Sequence, residues 1–513
     1  MNTTTRRHVL TLTAGAALAP WFVRHAMAAD TPRFALGIAS GHPRADRLVL
    51  WTRLTGNELP ERVDVRWELA HDEAFKNIAT SGLDVAEAAW AHSVHAEPVG
   101  LQPGRWYWYR FTALGQQSAV GRTRTAPAPD AAVSALRFTI ASCQRWDHGH
   151  YAAWRHMATQ ELDLVLFLGD YIYEYASPPA AIRLHDGPMA RSLDQYRARY
   201  AQYKTDPALQ AAHAIAPWMA VWDDHEVEND YAADTPQTPD PFFNHRRAAA
   251  TQAYWEHMPF PKAMRPRGTE MRLFDRYDWG TLARIHALDD RQYRDVQVCP
   301  KPGRHGSNTV ALKDCPELLD PKRTLLGAEQ ERWLAQGWRA GEEGKRPWNL
   351  LAQQTLMARF AWSDPAPSAG PSGSYWTDGW DGYAPARKRL LGTVAERKLP
   401  NVVVLGGDVH SHYVTDLKVD YDDAKSPVIA TEFCGSSITS HGLAQERIDA
   451  VLPFNPHVHY ARGDQRGYMD FTLTGKRLDA SLLAVQEPNN PASAVNTVAR
   501  FSVEAGKPGA QAA

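Results

Sequence analysis

Four short segments, far apart in the chain, carry side chains whose unprotonated forms bind metal ions. Carboxylates, imidazoles, thiolates and phenolates are the donors from which protein metal sites are built. Two metal ions that shared one carboxylate could clamp a phosphate group and activate water for in-line attack. These segments therefore indicate a hydrolytic metal centre. The candidate ligands are Cys143, then Asp170 and Tyr173, then Asp224 and His225, and finally Asp408 and His410.

Asp170 is the candidate bridging ligand because it follows a buried apolar run and a glycine. A glycine at position 169 would let the backbone approach the ions closely. Other interpretations exist for single residues: an aspartate after a strand is often a helix cap, and a tyrosine is often a packing residue. The run 223–226 (Asp-Asp-His-Glu) is more informative. Its four ionisable groups would repel one another unless cations or hydrogen bonds held them.

Each candidate segment directly follows an apolar, strand-like run, and the patterns between these runs are typical of helices. The clearest helical patterns cover residues 150–161 and 193–203. Strands that alternate with helices predict an α/β domain, whose ligands bind beyond the carboxyl ends of the strands. We therefore expect one shared site. The runs cover residues 137–141, 164–168, 219–222, 283–288 and 402–405.

The region before residue 125 has a different pattern and carries no such cluster. Residues 47–53 and 63–69 alternate with period two, and residues 105–111 are rich in aromatic strand formers. Several short strands at regular spacing predict a small β-sandwich. A connector rich in Pro and Ala then marks a boundary. We expect a sandwich over residues 30–127 and an α/β domain over residues 134–505, with a loose end after Glu487.

Residues 1–28 have the features of a secretory signal of the twin-arginine type. The pair Arg6-Arg7 precedes a short apolar run, and an Ala-Met-Ala cleavage pattern ends at Ala28. Twin-arginine signals export proteins that have already folded. An ordinary signal with two chance arginines is the alternative. The apolar run is too short to cross a bilayer, so we expect a periplasmic or secreted protein without a transmembrane anchor, delivered by the twin-arginine export machinery.

The net charge bears on the kind of binding partner to expect, and the four cysteines bear on the possible disulfide bonds. The 513 residues carry a net charge of −2, which gives no electrostatic reason to expect nucleic acid as a partner. Cys299 and Cys315 bracket a loop rich in Pro, Lys and Gly, and we expect them to form a disulfide. Cys143 and Cys434 each follow a strand-like run. Cys143 is therefore either a metal ligand or the partner of Cys434.

The ligand segments resemble a known superfamily. The motifs Gly-Asp-x-x-Tyr at 169–173, Asp-His-Glu at 224–226 and Gly-Asp-x-His at 407–410 are similar to those of calcineurin-like metallophosphoesterases. Asp224 stands where that superfamily usually has asparagine, and Asp408 where it usually has histidine. The amino-acid sequences of these and further segments are similar to those of the PhoD-like family in particular. The supporting segments are 141–144, 168–175, 222–229, 291–294, 380–383, 407–410 and 437–440.

This resemblance implies a fold, an activity and roles for the residues. The fold is a four-layer α/β/β/α sandwich with two mixed sheets, preceded by a small all-β domain of the fibronectin or immunoglobulin type. The implied activity is that of an exported alkaline phosphatase and phosphodiesterase. In such an enzyme a metal-activated hydroxide attacks phosphorus, and no covalent enzyme intermediate forms. The implied residues are Cys143, Asp170, Tyr173 and His410 for Fe³⁺; Asp170, Asp224, Asp408 and Asn229 for Ca²⁺; His225 for catalysis; and Arg291, Tyr293 and Tyr383 for the substrate cleft.

Two other functions compete with this one. Within the same fold, the protein could be a dedicated phosphodiesterase or a phospholipase D-like enzyme that acts on teichoic acid or lipid head groups. From another class, it could be a non-catalytic surface protein that keeps calcium for structure. His225 argues against the second, because a purely structural calcium site has little use for an imidazole. The sequence has no G-x-S-x-G elbow, which disfavours a serine hydrolase.

Overall fold

The computed structural model describes residues 32–341, 347–366 and 372–513, so the expected signal peptide lies outside the described residues. The helices are α1 Ala152–Met157, α2 Leu193–Lys204, α3 Pro207–Ile215, α4 Phe243–His257, α5 Gly327–Gly337, α6 Ala384–Glu396 and α7 Gln445–Asp449. The strands are β1 Ile38–Gly41, β2 Val49–Arg53, β3 Arg62–Ala70, β4 Ile78–Glu87, β5 Ser93–Ala96, β6 Trp106–Ala113, β7 Gln116–Gln117, β8 Gly121–Arg124, β9 Ala135–Ala141, β10 Leu164–Leu168, β11 Trp218–Val221, β12 Asp275–Trp279, β13 Ala283–Ala287, β14 Thr309–Ala311, β15 Trp348–Ala352, β16 Ser374–Trp376, β17 Val402–Gly406, β18 His412–Lys418, β19 Val428–Cys434, β20 Val458–Arg462, β21 Gly467–Thr474, β22 Arg477–Val485, β23 Val495–Glu504 and β24 Lys507–Ala512.

Two large mixed sheets form the centre of the molecule. The first has the order β24-β23-β22-β21-β9-β10-β11-β1-β2-β5, and the second has the order β12-β13-β15-β17-β19-β18-β20. Strands β9, β10 and β11 are parallel, as are β13, β15, β17 and β19. Their carboxyl ends therefore face the same edge of each sheet, which is where ligands of α/β folds bind.

Side chains that alternate along the central strands produce four layers. In β10, Leu164, Leu166 and Leu168 pack between the two sheets, while Val165 and Phe167 face helices α1 to α4. In β17, Val403 and Leu405 point to the same inter-sheet core, and Val402 and Val404 face α5 and α6. Period-two alternation gives each strand two buried faces. The predicted α/β/β/α arrangement is confirmed.

The amino-terminal region forms the expected β-sandwich, but it shares a sheet with the larger domain. Strands β3, β4, β6, β7 and β8 make one separate sheet. The opposite layer consists of β1, β2 and β5, and β1 pairs in parallel with β11, with Gly41 opposite Trp218. The Trp51 indole also donates to the Glu256 carbonyl at 3.0 Å. Continuous backbone pairing therefore joins the two regions.

The expectation of a loose end after Glu487 is wrong. Strand β23 pairs with β22 from Val495 to Glu504, and β24 then pairs back onto β23. Strand β24 lies beyond residue 505, the expected end of the domain. Exposed and half-buried residues alternate over the first part of β23, and few of its side chains are fully buried. The composition of the segment therefore did not reveal the hairpin. Pairing with β22 supplies the hydrogen bonds that hold it.

Candidate metal centre

The candidate ligands lie in the segments that follow β9, β10, β11 and β17. Cys143, Asp170, Asp408 and His410 all have left-handed backbone conformations, with φ of 58°, 60°, 65° and 51°. Such values are uncommon for residues other than glycine and cluster at functional sites. Here they turn the chain at each strand end so that side chains from separate loops meet.

One group of donors combines sulfur, nitrogen and oxygen. Ligand atoms of Cys143, Asp170 and His410 all lie within 4.8 Å of one another. The Tyr173 hydroxyl donates to Asp170 Oδ2 at 2.7 Å and lies 3.1 Å from His410 Nε2. His410 Nδ1 donates to the His441 carbonyl at 2.8 Å. The lone pair of Nε2 is thereby directed at the cluster, as in metal-binding histidines.

A second group shares Asp170 with the first. Ligand atoms of Asp170, Asp224 and His225 also lie within 4.8 Å of one another. Asp224 Oδ1 and Asp408 Oδ2 are buried and have no hydrogen-bond partner among the described residues. Leaving carboxylate oxygens buried and unpaired is costly. A cation beside them would satisfy both, so the donors on both sides of Asp170 fit metal ions.

Burial and neighbouring charges strongly affect the protonation of this cluster. Burial, together with the Asp170 carboxylate, raises the pKa of the Cys143 thiol well above its usual range. The same two causes raise the pKa of the Tyr173 phenol. Burial opposes ionisation of Asp224, but Arg291 and His225 lower its pKa to about 2. Burial and the neighbouring carboxylate thus both oppose ionisation of the thiol and of the phenol.

His225 is oriented by Glu174, a residue that sequence reasoning missed. His225 Nδ1 donates to Glu174 Oε2 at 2.7 Å, and the Asn229 backbone N–H donates to Glu174 Oε1 at 3.0 Å. The other ring nitrogen of His225 therefore faces the cleft. Burial would lower the pKa of His225, but the surrounding carboxylates, that of Glu174 first, raise it to about 10. The position of Glu174 directly after the candidate ligand Tyr173 was the feature of the sequence that could have indicated its role.

Glu226 holds the loop that carries Asp170. Its carboxylate accepts backbone N–H groups of Asp170 at 3.2 Å, of Asp223 at 2.8 Å and of Tyr171. The structure shows a steric reason for glycine at position 169. A Cβ atom there would lie 2.4 Å from Asp223 Cβ, and its φ is 104°. The glycine lets two ligand-bearing loops pack against each other.

Arg291 lies beneath the site and does not line the cleft. Its guanidinium pairs with Asp223, with Asp378 at 2.9 Å and with Asp224 at 3.7 Å. The side chain is 2 % exposed and is surrounded by these carboxylates. Asp378 also pairs with Arg294. These buried charges neutralise part of the carboxylate cluster, which the sequence did not indicate because Asp378 is distant in the chain.

Tyr293 and Tyr383 also lie away from the cleft. The Tyr383 hydroxyl accepts a hydrogen bond from Arg294 at 3.0 Å and is buried. Tyr293 packs edge-on against Phe274, with ring centroids 5.6 Å apart. Asn229, by contrast, does line the cleft. Of the residues expected to contact substrate, the structure therefore brings only His225 to the cleft.

The four cysteines fall into a pair and two separate thiols. Cys299 and Cys315 form a disulfide. Cys143 and Cys434 are both free and buried. The Cys434 thiol donates to the Gly407 carbonyl at 3.2 Å, whereas Cys143 faces Asp170 and His410. Cys143 is therefore available as a ligand.

The candidate ligands open into a cleft of about 960 Å³. One wall is polar and includes Asn229, Asp230 and Gln237. Another part of the lining is aromatic and includes Phe360, Trp362, Trp376, Trp380 and Tyr413. A volume of this size accommodates a small ester with both of its substituents.

Comparison with known proteins defines the class. Residues 138–482 match the PhoD-like phosphatase family, and residues 19–127 match the PhoD-like phosphatase N-terminal domain. The chain belongs to the PhoD-like phosphatase family. It is 42% identical over 484 residues to alkaline phosphatase D of Bacillus subtilis (strain 168), covering 91% of this chain and 80% of that protein. A solved structure described as "Structure of PhoD" matches with a TM-score of 0.86 and 40% identity, over 94% of this chain and 92% of that one.

Proposed function

We propose that this protein is an exported, metal-dependent hydrolase of phosphate monoesters and diesters. The observation that carries the proposal is the position of Asp170, which belongs to two groups of candidate ligands at the base of an open cleft. Unpaired buried oxygens of Asp224 and Asp408 support it. The similarity to an alkaline phosphatase over most of the chain supports the reaction class.

The donor chemistry supports Fe³⁺ in one position and Ca²⁺ in the other. Cys143, Asp170, Tyr173 and His410 would hold iron, because a phenolate needs a strongly Lewis-acidic partner and calcium would not select a thiolate. Asp170, Asp224 and Asp408 would hold calcium, which prefers oxygen ligands; Asn229 is a further candidate. Bound metals would supply charge for the phosphoryl oxygens and lower the pKa of an attacking water.

The protein's own groups would orient the ester and handle its protons. His225, fixed through Nδ1 by Glu174, presents its second ring nitrogen to the cleft, where it can stabilise charge or protonate the leaving oxygen. Glu226 holds the Asp170 loop through three backbone N–H groups. The walls of the cleft receive the alcohol portions of the ester.

Elemental analysis combined with assays of matched esters tests this function. Purified protein should contain iron and calcium and should hydrolyse both a model monoester and a model diester. Chelation should abolish both activities together. Turnover of diesters alone would favour the dedicated phosphodiesterase, and calcium binding without any turnover would favour the non-catalytic surface protein.

Replacement of Tyr173 by Phe tests the iron assignment. Freshly purified wild-type protein should be coloured by phenolate-to-iron charge transfer, and Tyr173→Phe should lose that visible band, because phenylalanine has no oxygen donor. Tyr200→Phe removes another buried hydroxyl and should keep the band. A colourless, iron-free but fully active wild-type enzyme would overturn the assignment.

Replacement of both arginines of the signal tests export. Arg6→Lys combined with Arg7→Lys should block delivery outside the cytoplasm, because twin-arginine transport requires the arginine pair. Arg24→Lys, within the same segment, should leave delivery unchanged. Normal delivery of the double variant, measured by cell fractionation, would favour the ordinary secretory route.

One structural observation bears on whether the chain could span a membrane. None of the helices within the described ranges is long and apolar enough to cross a bilayer.

A further inference from the structure

The aromatic wall of the cleft continues into a short ribbon whose residues have no role in the metal centre. Strands β14 and β16 pair with Thr309 opposite Trp376. The Trp362 backbone N–H donates to the Ser374 carbonyl at 2.9 Å, which attaches the Trp362 segment to the same ribbon. The backbone of Ser374 therefore connects the Trp362 segment with β16, and Trp362 and Trp376 both line the cleft.

The two indoles are half-exposed, unlike the aromatic rings behind them. Phe360 supports Trp362 edge-on, with ring centroids 5.1 Å apart, and Tyr413 supports Phe360 in the same way at 5.3 Å. Phe360 and Tyr413 are buried, whereas Trp362 and Trp376 present surface to the cleft. A supported, accessible indole face is a stacking platform for a planar ring.

Two arginines also line the cleft, Arg304 and Arg447. Arg304 donates to the Ser307 carbonyl at 2.9 Å. The Arg447 guanidinium lies 5.8 Å from the centroid of the Trp362 ring. Arg447 therefore places a planar cation near the Trp362 indole, an arrangement that suits a flat aromatic ring.

We infer that Trp362 and Trp376 form a subsite for the base of a nucleotide-type phosphate ester, with Arg447 contributing a planar cation beside it. The inference deepens the proposed function and rests on it for the position of the phosphoryl group. The metal centre receives the phosphoryl group, Gln237 in the polar part of the lining is available to the sugar, and the indoles receive the base. A purely aliphatic alcohol would gain nothing from the two arginines.

Binding of non-hydrolysable phosphonates to the metal-loaded protein tests the subsite without turnover. The probes are adenosine 5′-phosphonate, 2-hydroxyethylphosphonate and octylphosphonate, titrated by calorimetry. Adenosine 5′-phosphonate should bind most tightly. Trp362→Leu and Trp376→Leu keep apolar volume but remove the ring face, and each should weaken its binding by about 5- to 150-fold, the range for one base–aromatic stack. Arg447→Met should weaken it less. All three variants should bind 2-hydroxyethylphosphonate within about twofold of wild type.

Trp106→Leu is the matched control, because this tryptophan also packs against an arginine, with Arg122 3.8 Å above its ring, but lies in the amino-terminal sandwich. It should leave all three affinities unchanged. Octylphosphonate binding as tightly as the nucleoside compound would overturn the inference in favour of an aliphatic subsite. Equal losses for all probes would assign the indoles a structural role only. Absence of hydrolysis and of 2-hydroxyethylphosphonate binding would instead overturn the proposed metal centre.

Discussion

Asp170→Asn is expected to reduce hydrolysis to near the detection limit and to lower the content of both metals at once. Asp170 is shared by both groups of candidate ligands, and a neutral amide cannot bridge two cations as a carboxylate does. Loss of several kcal/mol of metal-derived stabilisation corresponds to roughly a thousandfold or more in rate. Elemental analysis and steady-state assays of the same preparation measure the two effects.

The fold around Asp170 should survive this change. Asparagine can keep an oxygen for the Tyr173 hydroxyl, and the backbone bonds to Glu226 do not involve the side chain of Asp170. Asp470→Asn, a half-buried site on β21 outside the cleft, is the control and should retain activity and metals. An Asp170→Asn enzyme with normal metal content and full activity would contradict the two-metal interpretation.

His225→Ala is expected to slow turnover by roughly 10²- to 10⁴-fold, as for loss of a general acid or base, while both metals stay bound. The imidazole lines the cleft and is held by Glu174, which agrees with the proposed role toward the leaving oxygen. Glu174→Gln should cost less than His225→Ala, because the amide keeps an oxygen to accept from Nδ1 but removes the negative charge.

Metal analysis decides between two roles for His225. One of its nitrogens lies within 4.8 Å of ligand atoms of Asp170 and Asp224, so a direct metal contact is the alternative. A fall in metal content as large as the fall in activity would make His225 a ligand. His245→Ala, at an exposed position on α4, should change neither quantity.

Most of the fold was predictable from local pattern. The runs before Asp170 and Asp408 are strands β10 and β17, and the pattern at 193–203 is helix α2, Leu193–Lys204. Ser192 and Gln195 begin that helix with a reciprocal capping box. Such signals are local, because strand alternation and helix capping involve neighbours in sequence. The helix predicted over 150–161 is shorter, Ala152–Met157, since the chain turns early toward β10.

The roles of the charged residues were less predictable. Arg291 follows a strand-like run, just as the ligand segments do, and it resembled a cleft residue. The structure instead buries it between Asp223 and Asp378. Sequence distance hides such pairs, because an ion pair over many residues leaves no periodic signal. The same limitation applies to Glu174 and His225, whose 2.7 Å contact depends on the packing of two loops.

Residue type and short-range periodicity were sufficient to predict the α/β class, the amino-terminal β-sandwich and the segments that carry the candidate ligands. Three features became visible only in the folded chain: which candidate donors lie together, the packing of the Gly169 loop against Asp223, and the pairing of β1 with β11 in the larger sheet. The physical reason is that strand order and loop contacts bring together atoms whose separation along the chain is large. Backbone hydrogen bonds and close packing, rather than local propensity, set that geometry.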